Sequence, residues 1–421
     1  MESNDILENI NIEPKDWSME NSIIKVIGVG GGGCNAVSYM YSQKIEGCSF
    51  IVCNTDAQAL RKSPVPIKVQ LGQGLGAGCD PIKGRNAAIE AQDEITRTVL
   101  DTNTQMLFIT AGMGGGTGTG AAPVIAEMAR KKGILTVAIV TLPFRNEGNE
   151  SLSKAIDGIH ELEKSVDSLL IINNEKLYEY YGDLLVQDAF PKADEILATA
   201  VRGIIEIIRK PGYINVDFAD VKTMMKNSGM ALMGCGSGTG ENRIEDAIRQ
   251  ALESPLLNDF DLKTAKNVLI NITIGKNEQG LAMKELDEIN NKINEFTGNA
   301  NNFKRGIIFD EGEDVGDRIN ITVIATGFKM SQLSDITDVN LGNIIMIDNT
   351  FTYDGDGLIS REQDPDEITT RKIGPTNTAN IRKFNYREKP ALIVSERQNI
   401  SELESVTART RAIRMMSESQ E

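Results

Sequence analysis

From Gly114 to Gly120 the chain reads Gly-Gly-Gly-Thr-Gly-Thr-Gly. Seven residues without a large side chain bury almost nothing, so the chemistry of the run is that of its backbone. It follows an apolar stretch, Met106–Ala111, and leads into a helical pattern over Ala121–Lys131. At a strand-to-helix turn, glycine lets main-chain N–H groups approach an anion, and the helix start adds its partial positive charge. Tight helix–strand packing accounts for one or two such glycines, not for seven residues. The run therefore predicts a cradle for a di- or triphosphate. Its place is the carboxyl end of a strand, where open parallel sheets bind ligands.

Two more glycine-rich turns share that setting. Gly28-Val29-Gly30-Gly31-Gly32-Gly33-Cys34-Asn35 follows the apolar run Ile23–Val29, and Leu71-Gly72-Gln73-Gly74-Leu75-Gly76-Ala77-Gly78 is placed to close over a terminal phosphate. No lysine follows the first turn in the P-loop manner. Taken alone, it also fits a dinucleotide site, with Asp56 as the ribose-binding acid. Between Ser22 and Asn174, strand patterns (Ser49–Cys53, Ile134–Thr141 and Ser168–Ile172 in addition) alternate with helical ones. That alternation predicts an α/β domain, Rossmann-like, with a parallel sheet covered on both faces.

Residues 194–210 are apolar almost all round and stop at Pro211-Gly212, the pattern of a buried central helix. A smaller α+β region follows, with strand patterns at 267–274, 305–309 and 318–325 and helical ones at 241–254 and 283–296. Beyond Met330 the periodicity fades, and Tyr353–Thr378 has the composition of a linker. Ile344–Ile347 is a candidate last strand, and Ser401 with Glu404 forms a capping-box pattern for a terminal helix. The expected organisation is an N-terminal extension (1–21), a nucleotide-binding domain (22–187), a central helix (188–212), an α+β domain (213–330) and a tail (331–421).

The formal charge of −16 over 421 residues opposes nonspecific binding to nucleic acid or anionic lipid. Backbone amides still hold phosphates inside an acidic protein. No apolar run reaches eighteen residues, and the acidic start lacks the features of a signal peptide, so a cytoplasmic protein without membrane insertion is expected. Five scattered cysteines have no metal-ligand or disulfide spacing. The only histidine, His160, lies in a charged helical stretch, so the chemistry must proceed without a histidine base.

The glycine–threonine run is identical to the signature of the tubulin/FtsZ family. Asn54–Leu60, Gly84–Ala88, Asn215–Val221 and Ser254–Leu257 resemble that family too, in its order, across about Ile23 to Met330. The resemblance implies GTP and GDP as ligands, with Mg2+ and a monovalent cation as cofactors and no dedicated protein metal site. Gly31, Gly32, Gly33, Cys34 and Asn35, with Gly116, Thr117 and Gly118, would contact the nucleotide. Glu147 would reach the ribose, Phe190 would stack on the base, and Asp194 would accept from guanine. Where the family usually carries an arginine near the terminal phosphate this chain has Ser151, with Lys154 close to one helical turn further on.

Asp217 and Asp220 are the catalytic candidates, a carboxylate pair able to orient and polarise a water. Read from the residues alone, they equally well cap a helix through Met225. In the family this loop enters the next subunit's nucleotide site, so hydrolysis occurs at formed interfaces of a head-to-tail homopolymer at the mid-cell division site. Loss of the γ-phosphate then weakens those interfaces. Membrane-tethering and regulatory division proteins bind the family's tail. Here Glu388–Val394 keeps the acid and proline of the family's tail peptide but lacks its aromatic residue and arginine.

Two other readings stay open at this level. A nicotinamide-dependent dehydrogenase would use the first glycine turn but leave the second unexplained. A filament protein that binds nucleotide without hydrolysing it would leave the paired aspartates unexplained.

Overall fold

The computed structural model describes residues 22–175, 185–209, 212–214, 216–252, 264–275, 280–297, 302–310, 316–328, 351–353 and 358–360. The chain divides into two compact units, Met1–Met330 and Ser331–Glu421. The first unit is built on one eleven-stranded sheet in the order β3-β2-β1-β4-β5-β6-β8-β11-β9-β10-β7.

Six strands form its parallel half: β1 (Ile24–Val29), β2 (Ser49–Asn54), β3 (Ile67–Gln70), β4 (Met106–Gly112), β5 (Leu135–Leu142) and β6 (Ser168–Asn173). Apart from the edge strand β3, they are largely apolar and buried along nearly their whole length, because helices cover both faces. Strand order reverses between β1 and β4, and the two helices that matter most for the site start there. These are α1 (Gly30–Ser42) and α5 (Thr117–Lys131). Helix α5 begins earlier than the Ala121–Lys131 pattern predicts, and in both helices glycines form part of the first turn. Four further helices complete this half: α2 (Ala57–Lys62), α3 (Pro81–Glu90), α4 (Gln92–Thr98) and α6 (Asn149–Glu163). Between α3 and α4 the chain breaks at Ala91.

Central helix α7 (Val186–Arg209) packs against α1. It is less uniformly apolar than its sequence suggests. Leu197, Val201, Ile204, Ile205 and Ile207 are buried, while Glu195, Thr199, Arg202, Glu206 and Arg209 form one half-exposed polar stripe at helical spacing. Each of those buried aliphatic side chains contributes about 1.5–3 kcal/mol. One continuous core joins them to Val37 and Met40 of α1, to Phe108 of β4, and to Leu269 and Ile324 beyond the helix.

The remaining strands are β7 (Gly212–Ile214), β8 (Gly229–Gly238), β9 (Asn267–Gly275), β10 (Asn302–Asp310) and β11 (Ile319–Phe328). Strand β11 runs antiparallel to both β8 and β9, β9 runs parallel to β10, and three residues of β8 continue the ladder from β6. Helices α8 (Phe218–Met225), α9 (Arg243–Leu252) and α10 (Met283–Thr297) accompany them. Sequence reasoning missed β8 because glycines depress strand patterning. Their role is close packing: a methyl group at Gly236 would lie 2.0 Å from the Ala247 carbonyl oxygen of α9.

In the second unit, β12 (Phe351–Tyr353) pairs antiparallel with β13 (Leu358–Ser360), where the composition suggests a linker. Ile344–Ile347, Glu388–Val394 and Ser401–Glu404 lie outside the described residues, as does the N-terminal extension. Among the described residues, no helix is long and apolar enough to cross a membrane.

Candidate functional site

The two glycine turns meet. A methyl group at Gly30 would stand 2.8 Å from the Gly118 nitrogen, and one at Gly32 would stand 3.3 Å from Gly112 Cα. Helices α1 and α5 therefore start side by side at the reversal of strand order, with their positive ends converging. Gly31 and Gly32 are exposed, and a side chain at Gly31 or Gly115 would meet open space. Gly114 has φ 100, so the turn itself requires glycine there.

Several residues of the run hold the fold rather than face outward. Gly116, Thr117 and Gly118 are buried, so the backbone is what they can offer a ligand. A methyl group would lie 2.4 Å from the Gly112 oxygen at Gly118, and 1.9 Å from the Pro81 oxygen at Gly120. Thr119 Oγ1 accepts from the Gly114 N–H at 2.9 Å, and Thr117 Oγ1 shares a hydrogen bond of 2.7 Å with Thr55. Packing thus explains more of the run than one or two positions, which corrects the sequence-based weighting.

In the first turn the residues divide. Asn35 is exposed like Gly31 and Gly32, whereas Gly33 is packed against the Thr110 carbonyl. The Cys34 thiol points into the core toward the carbonyl oxygens of Gly28 and Cys53, and burial pushes its pKa up to about 12. Its side chain is therefore not a ligand group. Asp56 is engaged as the cap of α2, accepting from Gln58 and Ala59 N–H. It is not free to bind a ribose, which removes the acid that the dinucleotide reading needs.

The third turn is tied to the same end of the sheet. Gly76 N–H donates to the Thr55 carbonyl at 2.9 Å, and Asp80 caps α3 through the Ile82 N–H. Lys154 of α6 reaches across to the Cys79 carbonyl at 3.1 Å while paired with Glu150 at 2.6 Å. Ser151 lies against the second turn, since a methyl group at Gly114 would meet its Oγ at 2.6 Å. Glu147 is exposed, and its carboxylate accepts from the Phe144 N–H at 2.9 Å.

Phe190 is on α7, with its side chain outside the described residues. Asp194, one turn further, is half-buried, and burial pushes its pKa up to about 6. A desolvated carboxylate is a site in need of donors. Sequence reasoning missed a second such group. Asn174 Oδ1, just past the end of β6, is buried without a hydrogen-bond partner. The polar pair Asn173-Asn174 ending an apolar strand was the available signal.

Asp217 and Asp220 lie elsewhere. Asp217 caps α8, accepting from the Asp220 N–H at 2.7 Å, so the capping role is realised. Asp220 is also paired with Lys304 of β10 at 2.9 Å. The turn after α8 is anchored at the amino end of the parallel strands. Ser228 N–H donates to the Asp167 carbonyl at 2.8 Å, and Asp167 immediately precedes β6. Arg209, closing the central helix, faces Glu46 at 3.7 Å just before β2. From Asp194 to Arg209 the helix axis runs about 22 Å. Glycine turns and aspartate pair thus sit at opposite ends of the sheet, and one chain does not bring them together.

Among the described residues, no three His, Cys, Asp or Glu side chains are grouped to hold a metal ion. A divalent cation would fit here as a companion of ligand phosphates, the usual mode for Mg2+.

The chain and its fold have known counterparts. Residues 23–182 match the GTPase domain of the tubulin/FtsZ family, and residues 229–329 match the C-terminal domain of the FtsZ family. Cell division protein FtsZ of Porphyromonas gingivalis is 45% identical over 365 residues, covering 83% of this chain and 79% of that protein. The protein of the same name from Buchnera aphidicola subsp. Acyrthosiphon pisum is 43% identical over 388 residues, covering 90% of this chain and 98% of that protein. Among solved structures, an FtsZ dimer of M. jannaschii superposes with a TM-score of 0.65 at 36% identity, covering 81% of this chain and 93% of that one.

Proposed function

This chain belongs to the FtsZ family, the polymerising cell-division GTPases of the tubulin fold, and from that premise we propose how its two separated groups make one active site. The observation that carries the proposal is their placement at opposite ends of the sheet and central helix. A site that is complete only when the lower end of one subunit meets the upper end of another is a heterologous contact, which repeats into a filament.

In this reading the amides of Gly31 and Gly32 and the turn from Gly114 to Gly118 hold the phosphates under two helix ends. Asn35 and Glu147 border the sugar side, and Asp194, with Asn174, reads guanine. Phe190 stacks on the base. Ser151 and Lys154 flank the terminal phosphate from α6. Mg2+ neutralises phosphate charge when bound. Asp217 and Asp220 of the next subunit accept hydrogen bonds from a water and direct its lone pair at the γ-phosphorus; the bond from that phosphorus to the bridging oxygen breaks, GDP keeps the oxygen, and the water's proton passes to the released phosphate or to solvent. The tail recruits membrane-tethering and regulatory division proteins, which place the filament at mid-cell on the cytoplasmic side.

The test is phosphate release with light scattering, started by GTP, across protein concentrations. Specific activity is expected to be near zero below a threshold and to rise in step with scattering above it. A rate per subunit that does not depend on concentration would mean a self-contained site.

Asp194 supplies a second expected result. The guanine edge offers two N–H donors, which an ionised carboxylate accepts and a protonated one does not. Because burial raises the Asp194 pKa to about 6, the ionised form predominates at pH 7 and is lost as pH falls through 6. GTP affinity should then fall by up to about tenfold per pH unit below 6. Asp194→Asn, titrated in parallel by calorimetry, keeps only the titration of the phosphates. Identical pH profiles for the two proteins would exclude Asp194 from the base site.

A further inference from the structure

Asp217 and Asp220 are presented together with a cation. Asp217 Oδ1 accepts from the Asp220 N–H at 2.7 Å, and Asp220 Oδ1 accepts from Lys304 Nζ at 2.9 Å. Asp220, and behind it Asp217, raise the Lys304 pKa above its ordinary value, so the ammonium stays charged. The pair is half-exposed, and such pairs contribute little to folding. Stability does not account for it.

Function does, given the trans-acting site proposed above. Two bare carboxylates advancing on a triphosphate meet strong like-charge repulsion, in a chain already at −16. On the receiving side Lys154 is engaged by Glu150 and by the Cys79 carbonyl. A cation arriving with the carboxylates halves the charge they bring. We propose that Lys304 is the third member of the group each subunit presents to its neighbour's nucleotide, where its ammonium offsets Asp217 and Asp220 against the phosphates and positions them for the attacking water.

This inference rests on the two-subunit site, so its test must separate the two. Phosphate release per assembled subunit is measured at saturating GTP, with the assembly threshold from light scattering and the melting temperature as the check on folding. Lys304→Met is expected to lower turnover about 5- to 10-fold and to raise the threshold. Lys304→Glu should lower turnover further, and Lys304→Arg should restore most of it. Wild-type turnover and threshold in Lys304→Met would overturn the role of Lys304. Equal loss in Lys304→Arg and Lys304→Met would overturn it too, because charge would not be what matters. Asp217→Ala, run alongside, distinguishes the failures. If it loses hydrolysis while Lys304→Met does not, the two-subunit site stands without Lys304. If it hydrolyses normally, the site itself is wrong.

Discussion

Asp217→Ala is expected to bind GTP and assemble, yet to release phosphate at least about 100-fold more slowly than the parent protein. The separation of effects follows from position. Asp217 caps a helix at the amino end of the parallel strands, far from the glycine turns proposed to hold the nucleotide. Its loss therefore leaves the GTP affinity of a dilute subunit in place. The cap itself contributes about 1 kcal/mol to α8, and that helix is further held by buried Val221, Met224 and Met225. Local unfolding is thus too small an effect to explain a hundredfold loss.

The sharper version uses two proteins. Asp217→Ala has an intact cradle and a defective loop, while Asp194→Asn has the reverse. Mixed, they form interfaces at which a good cradle meets a good loop, and phosphate release should reappear above that of either protein alone. Mixtures that release phosphate only at the sum of the separate rates would place catalysis within one chain.

Much of the fold is legible in the sequence. The apolar runs at 23–29, 106–111 and 168–172 became β1, β4 and β6, since strands buried on both faces must be continuously apolar. The candidate site is legible through the glycine turns, because glycine alone lets backbone amides approach a ligand that closely. Other parts were hidden for physical reasons. Strand β8 is hidden because its Gly236 and Gly238 serve α9 and not the strand. The polar stripe of α7 is hidden because scattered Glu195, Arg202 and Glu206 align only once the helix is wound. Lys304 is distant from Asp220 in sequence, and only the docking of β10 beside α8 reveals their pairing. The inward turn of the Cys34 thiol was equally beyond a linear pattern, since it depends on which carbonyls lie beneath α1.

The glycine–threonine run itself holds the second large prediction, because its residues divide into two kinds that one substitution separates. At Gly120 a methyl group would meet the Pro81 carbonyl oxygen at 1.9 Å and the Arg85 nitrogen at 2.8 Å, both backbone atoms. Replacing a mid-helix glycine with alanine ordinarily gains about 1 kcal/mol of helix propensity. Here α3 would have to move off α5, and overpacking of that kind costs about 3 kcal/mol or more. The clash wins, and the melting temperature of Gly120→Ala should drop by about 5 °C or more. Gly115 is the opposite case, with nothing near the position of an added methyl group. Gly115→Ala should melt within about 1 °C of the parent, because a surface change away from packed contacts stays within about 0.5 kcal/mol. Its methyl group would instead occupy the space left for phosphate, so GTP affinity should fall at least about tenfold. Thermal melts with and without GTP read both quantities at once. If Gly115→Ala kept its GTP-induced rise in melting temperature, that turn would not be the cradle, and the run would be a packing motif alone. If it loses that rise while Gly120→Ala loses stability, the run is both: a joint that locks α5 onto α3, and an opening at Gly115 for the phosphates.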